Sequence, residues 1–92
     1  MARDRWQVYV LRCADGSLYT GVTSNLDRRL RLHHRGRASR YTRSRLPVTL
    51  VYRERASSRS TAQRREWEIK RLSRAEKDRL VTGRPSARPV GP

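Results

Sequence analysis

Tyr9 and Tyr19, with Gly21 two residues beyond the second tyrosine, are followed by Arg29, His33 and Glu66. Together these side chains offer two hydroxyls, a guanidinium, an imidazole and a carboxylate. Guanidinium forks match phosphate oxygens and stabilise the charge that develops in a displacement. Mg²⁺ commonly takes one or two carboxylates and completes its shell with water and phosphate oxygens, so a carboxylate among arginines suits a hard divalent cation. The chemistry that fits the whole set is phosphodiester hydrolysis. Each member also has a plainer reading: tyrosines on strands pack cores, a histidine on a helix fills a face, and Glu66 pairs with Arg29 or Lys70 for structure. Which reading holds depends on the elements that position them.

Gln7 to Cys13 alternates and is rich in valine and bulky residues, and Leu18 to Thr23 resumes the pattern after Asp15-Gly16, which predicts a β-hairpin. Loop parity decides whether the tyrosines can cooperate. A two-residue loop would pair Ala14 with Ser17 and send Tyr9 and Tyr19 to opposite faces. A three-residue loop, with Gly16 left-handed at a bulge, would pair Cys13 with Ser17 and bring both to one face. A shared site requires the odd loop.

Ser24, with Asp27 three residues on, reads as the cap of a helix running to about Arg35 before Gly36. At roughly 100° per residue, Leu26, Leu30 and His33 fall on one arc with Arg29 at its edge, while Arg28, Arg31 and Arg35 project away. His34 is expected at the surface. Gly36 to Leu46 reads as a loop whose Arg37, Arg40, Tyr41, Arg43 and Arg45, together with Arg28, suit phosphate contact. Pro47 precedes a third alternating strand, Val48 to Arg55, since proline is tolerated at a strand start. Ser60 with Gln63 predicts a helix to about Leu72, and Ser73 with Glu76 another to about Val81. On the first of these, Ala62, Glu66 and Ile69 share an arc from which Glu68 departs, so Glu66 is the carboxylate aimed inward. The predicted architecture is α+β, a small three-stranded antiparallel sheet flanked by helices in the order β-β-α-β-α-α.

The chain has 92 residues, so it forms one small domain with a modest core. Residues 1–82 are assigned to that domain. Residues 83–92, with three prolines and two glycines, read as a disordered basic tail. The formal net charge of +15 comes from 23 basic residues against 8 acidic ones, which favours a polyanionic partner bound through counterion release. GC-rich codon usage would account for arginine over lysine but not for the scarcity of carboxylates. Cys13 is the only cysteine, which excludes an internal disulfide and any multi-cysteine metal site. No apolar run approaches the roughly 20 residues that span a bilayer, and the expected location is cytoplasmic.

In order along the chain, Val8-Tyr9-Val10, Asp15-Gly16-Ser17, Tyr19-Thr20-Gly21, Asn25-Leu26, Arg28-Arg29-Leu30, His33, Gly36, Tyr41-Thr42-Arg43, Pro47, Arg65-Glu66 and Ile69-Lys70 resemble the GIY-YIG endonucleases, specifically their small stand-alone bacterial branch. The resemblance covers about residues 6–81. It implies a three-stranded antiparallel sheet with helices and a nuclease centre using one divalent metal, Mg²⁺ or Mn²⁺. By motif position, Tyr9 and Tyr19 resemble the two motif tyrosines, Arg29 the arginine of the first helix, His33 the histidine one turn later, and Glu66 the metal-binding glutamate. The name-giving tripeptides depart here to Gln7-Val8-Tyr9 and Tyr19-Thr20-Gly21, and the lost positions carry no reactive side chain.

Two functions of different class follow. One is a metal-dependent endonuclease acting on DNA in preference to RNA, with branched or single-stranded DNA in repair or recombination as candidate substrates. The alternative is a catalytically weak or inactive basic module that binds nucleic acid without cutting it. A ribosome- or RNA-associated role is the third reading, and the sequence shows no aromatic stacking platform for it.

Overall fold

A computed structural model describes residues 5–83. Strand β1 (Gln7–Arg12) lies at the centre of a three-stranded antiparallel sheet, between β2 (Leu18–Thr23) and β3 (Thr49–Arg55). Helix α1 (Leu26–His34) follows the hairpin, and α3 (Arg59–Lys70) and α4 (Arg74–Thr82) follow β3. The predicted α+β order β-β-α-β-α-α is therefore the order of the fold. One further turn of helix, α2 (Arg40–Arg43), lies inside the segment expected to be loop. The assignment of a disordered tail falls outside the described residues except at Gly83, which closes α4 as its C-cap.

The central strand is covered on both faces, and its alternation sorts two cores. Val8 and Val10 pack with Ala56, Ala62 and Ile69 beneath α3 and α4. Tyr9, Leu11 and Cys13 pack with Leu26 and Val48 on the α1 side. Period-two alternation puts neighbours on opposite faces of a sheet, so Tyr9 stands between two residues of the other core. Alternation in β3 is interrupted where its register shifts: Val10 faces Tyr52 and Leu11 faces Leu50. Val51 is thus the extra residue of a bulge, and both Val51 and Tyr52 join the α3–α4 core.

The hairpin loop is odd. Arg12 pairs with Leu18, the Cys13 N–H donates to Ser17 O at 2.8 Å, and the Gly16 N–H returns to Cys13 O at 2.9 Å. Gly16 is left-handed at φ +87°, completing the three-residue turn with its bulge. Tyr9 consequently faces Gly21, and Tyr19 faces Leu11, on one side of the sheet.

Two caps differ from expectation. Thr23 Oγ1 accepts the Asn25 N–H at 3.0 Å, so α1 starts one residue later than read, with Asn25 rather than Ser24 accepting the Arg28 N–H. Helix α3 is capped by Ser58, which accepts the Thr61 N–H, not by Ser60. In both cases neighbouring Ser, Thr and Asn side chains compete for one cap, and composition does not rank them. The Ser73–Glu76 capping box forms as predicted. Among the described residues, no helix is long and apolar enough to cross a membrane.

Because Gly16 sits in open space, a side chain there would meet only backbone strain. Gly16→Ala is expected to lower unfolding stability by about 1 kcal/mol, read from urea denaturation midpoints, with no change in fold.

Candidate active site

The site forms where the α1 side of the sheet meets α1 and α2. Tyr9 and His33 are both 0% exposed, and the Tyr9 hydroxyl and His33 Nε2 lie 2.8 Å apart in a hydrogen bond. The arc that carries Leu26 and Leu30 carries His33 to the sheet, while Arg28, Arg31 and Arg35 stay exposed. Tyr19, half-buried, completes an aromatic triangle: ring centroids are 6.4 Å from Tyr9 and 5.4 Å from His33. Such tilted and edge-on contacts are favourable geometries for aromatic groups.

Gly21 explains how the phenol fits. Tyr9 and Gly21 are cross-strand partners, and a Cβ built on Gly21 would stand 2.6 Å from the Tyr9 oxygen and 2.7 Å from Cζ. The tyrosine lies across the glycine backbone on its way to His33. No other residue leaves that space.

Arg29 stands at the edge of the same arc, half-buried. Burial pushes the Tyr9 phenol up to about 12; the Tyr19 and Glu66 groups add to the rise, and the Arg29 guanidinium opposes it. Burial likewise holds His33 down to about 4, helped by the charges of Arg29 and His34. Near neutral pH the centre therefore contains a neutral phenol and a neutral imidazole beside a fixed guanidinium charge. Arg28 and Arg29 also line a surface concavity of about 230 Å³ with Thr23, Ser24 and Asn25.

Glu66 comes from α3, across the sheet. Its neighbours on the arc, Ala62 and Ile69, are fully buried, whereas its own side chain is 23% exposed and Oε2 lies 3.1 Å from Lys70 Nζ. Its charge reaches Tyr9, but no hydrogen bond joins it to the four residues of the cluster. Pairing with Lys70 is thus realised. That lysine is half exposed, and exposed i,i+4 pairs contribute about 0.3–0.5 kcal/mol, so the carboxylate remains available to a cation. Glu68, the acid read as turned away, pairs with Arg65 at the surface.

The residues expected to contact phosphate divide. Arg28, Arg37, Arg40 and Arg43 are exposed. Tyr41 stacks on Tyr19 with centroids 6.0 Å apart, so it extends the aromatic triangle to the surface. Arg45 is held inside the chain: its guanidinium lies 3.8 Å over the Tyr41 ring, its Nε donates to Asp15 Oδ2 at 3.1 Å and Nη1 donates to Tyr41 O at 2.9 Å. It fastens the α2 segment to the hairpin turn. His34 is exposed as expected, but its Nε2 also bonds the Val48 carbonyl at 3.2 Å.

Thr42 stands in the Tyr41-Thr42-Arg43 motif, but sequence reasoning gave it no role. It is 0% exposed, and its Oγ1 lies 2.9 Å from His33 Nδ1 and 2.9 Å from Ser39 Oγ. The available signal was the Ser39-x-x-Thr42 spacing, with Ser39 accepting the Thr42 N–H as the cap of α2. A search for Glu or Gln at the third position passes over it.

Sheet, helices and cluster together define a small α+β domain whose tyrosine, histidine and arginine groups converge on one face of a three-stranded sheet, with a glutamate brought from the other side. The chain belongs to the GIY-YIG catalytic domain family, whose model matches residues 5–79. A UPF0213 protein of Natronomonas pharaonis is 57% identical over 81 residues, covering 88% of this chain and 94% of the relative. One from Staphylococcus haemolyticus is 48% identical over 77 residues, covering 84% and 94%. The solution NMR structure of a UPF0213 protein from Bacillus halodurans superposes with a TM-score of 0.56 at 43% identity, over 89% of this chain and 87% of that one.

Gly21→Ala is expected to displace the Tyr9 ring from His33 and to destabilise the domain by about 1–3 kcal/mol, seen as a lower urea midpoint and altered Tyr9 and His33 side-chain resonances. For His33, whose folded value of about 4 lies below its ordinary 6.5, the unfolded chain binds the proton more readily between these values. Stability it contributes is complete above pH 6.5 and is lost as pH falls through about 4. Urea titrations across that window should show a loss that is smaller in His33→Asn.

Proposed function

We propose that this protein is a divalent-metal-dependent endonuclease that hydrolyses phosphodiester bonds of DNA, with branched or single-stranded DNA as its candidate substrates. The observation that carries the reading is the convergence of Tyr9, Tyr19, Arg29 and His33 on one face, with Glu66 close enough for its charge to bear on Tyr9. A binding module has no need for that buried arrangement. Membership of a catalytic domain family supports the same reading.

The residues divide the work by their exposure. Tyr19 is the less buried of the two tyrosines, and it accepts a hydrogen bond from the attacking water and orients it. Tyr9 and His33 lie behind it and hold the cluster. Arg29 is half-buried and fixed in charge, and it stabilises the negative charge that builds on the scissile phosphate. Arg28, Arg37, Arg40 and Arg43 hold the flanking backbone, with the salt dependence of counterion release.

Among the described residues no three acidic, histidine or cysteine groups form a metal cage. One partly exposed carboxylate nevertheless fits the habit of Mg²⁺, which keeps most of its waters and takes further oxygens from substrate phosphate. Glu66 is the residue that would hold Mg²⁺ or Mn²⁺. When bound, the ion supplies Lewis-acid stabilisation to the phosphoryl oxygens.

The test is a cleavage screen over duplex, single-stranded, flap and junction DNA with Mg²⁺ and Mn²⁺. Arg29→Ala and Glu66→Ala are each expected to reduce kcat by about 10²–10³-fold or more while binding in a gel-shift assay persists. Cleavage that survives both substitutions would sink the assignment of the site. Salt-steep binding without turnover under either metal would instead identify a nucleic-acid-binding module.

A further inference from the structure

Helix α2 contributes a buried polar chain that the proposed reaction does not itself require. Thr42 is fully buried in a segment whose neighbours Tyr41 and Arg43 are exposed. Buried hydroxyls are almost always hydrogen-bonded, and this one bridges His33 Nδ1 and Ser39 Oγ, each at 2.9 Å. With Nε2 on Tyr9, both nitrogens of the imidazole are engaged. A continuous path runs Ser39–Thr42–His33–Tyr9.

Its direction can be deduced. A neutral imidazole has one donor nitrogen and one acceptor nitrogen, and burial keeps this ring neutral near pH 7. Among the described residues, Nε2 is the one group placed to accept a hydrogen bond from the Tyr9 hydroxyl, at 2.8 Å. Tyr19 and Glu66 act on its oxygen through charge alone, and the other group within hydrogen-bond reach is the Arg29 guanidinium, which can only donate. If Nε2 carried the proton, Tyr9 would face donors alone and its own buried O–H would be left without an acceptor. The satisfied arrangement has Tyr9 donating to Nε2, and Nδ1–H donating to Thr42 Oγ1. Thr42 then donates to Ser39 Oγ, which also accepts the Thr42 backbone N–H at 3.1 Å.

We propose that Thr42, backed by Ser39, is a positioning residue that receives the Nδ1–H of His33 and so holds the ring in the tautomer whose Nε2 accepts from Tyr9, leaving the lone pairs of the Tyr9 oxygen turned toward Arg29. Its catalytic consequence rests on the nuclease reading, because Arg29 is the group that meets the phosphate. The tautomer does not rest on that reading, and it can be measured without turnover.

The experiment is long-range ¹H–¹⁵N correlation of the His33 ring in the full chain near neutral pH, paired with steady-state cleavage of the best DNA substrate. The expected spectrum shows a protonated Nδ1 and an unprotonated Nε2. A protonated Nε2, or a fast mixture of both tautomers, overturns the proposal. Thr42→Val keeps the shape and removes the hydroxyl. It should disturb the ring pattern and lower kcat on the order of 10- to 100-fold, by analogy with the outer partners of metal-bound histidines, with KM little changed. Thr42→Ser should rescue both. A folded Thr42→Val protein with the original ring pattern and kcat overturns the role of Thr42. Should that variant fail to fold, the ring spectrum of the unsubstituted chain decides alone. An Nδ1–H spectrum in a protein that cuts no DNA would refute the nuclease reading and uphold the tautomer.

Discussion

The arrangement depends on one buried hydrogen bond, between the Tyr9 hydroxyl of the central strand and Nε2 of His33 on α1. Hydrogen bonds in a low-dielectric interior are strong individually but contribute little net, because both partners give up water. Their larger effect here is geometric. Neither group can be left unpaired at that depth, so strand and helix are held at one separation and the edge of α1 is set where Arg29 meets the phenol. Burial acts on the two partners in opposite directions of pKa and in the same direction of charge: both are kept neutral.

That neutrality matters in a chain with a formal charge of +15. A charged imidazole beside Arg29 would add like-charge repulsion to the cost of burial. Keeping it neutral leaves the guanidinium as the fixed positive group of the cluster, while most other arginines remain at the surface. Arg45 is an exception of another kind, since its contacts to Asp15 and Tyr41 tie the α2 segment to the hairpin turn. Through that tie the segment places Tyr41 on Tyr19 and Thr42 on His33, two consecutive side chains turned in different directions.

Much of this was legible in the sequence because it rests on periodicity and parity. Alternation in Gln7 to Cys13 located the central strand, the odd loop was deducible from the requirement that Tyr9 and Tyr19 share a face, and the helical arc placed His33 inward with Arg29 at its edge. What escaped had no periodic signal. The caps at Asn25 and Ser58 were chosen from clusters of equivalent polar residues by tertiary contacts such as that of Thr23. Helix α2 is four residues long, too short for an apolar face. Thr42 is buried by what covers it rather than by pattern, and a threonine in an arginine-rich loop reads as solvent-exposed. Inward aim was correct for the arc of Glu66, but an arc cannot say that a side chain near its rim meets Lys70 first.

Gly21 has a further effect on how the sheet assembles. Sliding β2 along β1 by two residues would keep every side chain on its own face, so hydrophobic patterning cannot distinguish that error from the correct pairing. Such a slide would set either Tyr19 or Thr23 opposite Tyr9 in place of Gly21. Each brings a Cβ into the space that the phenol crosses. The missing side chain is therefore a registration mark: with the Tyr9 ring lying across β2, it lets the two strands close in a single alignment.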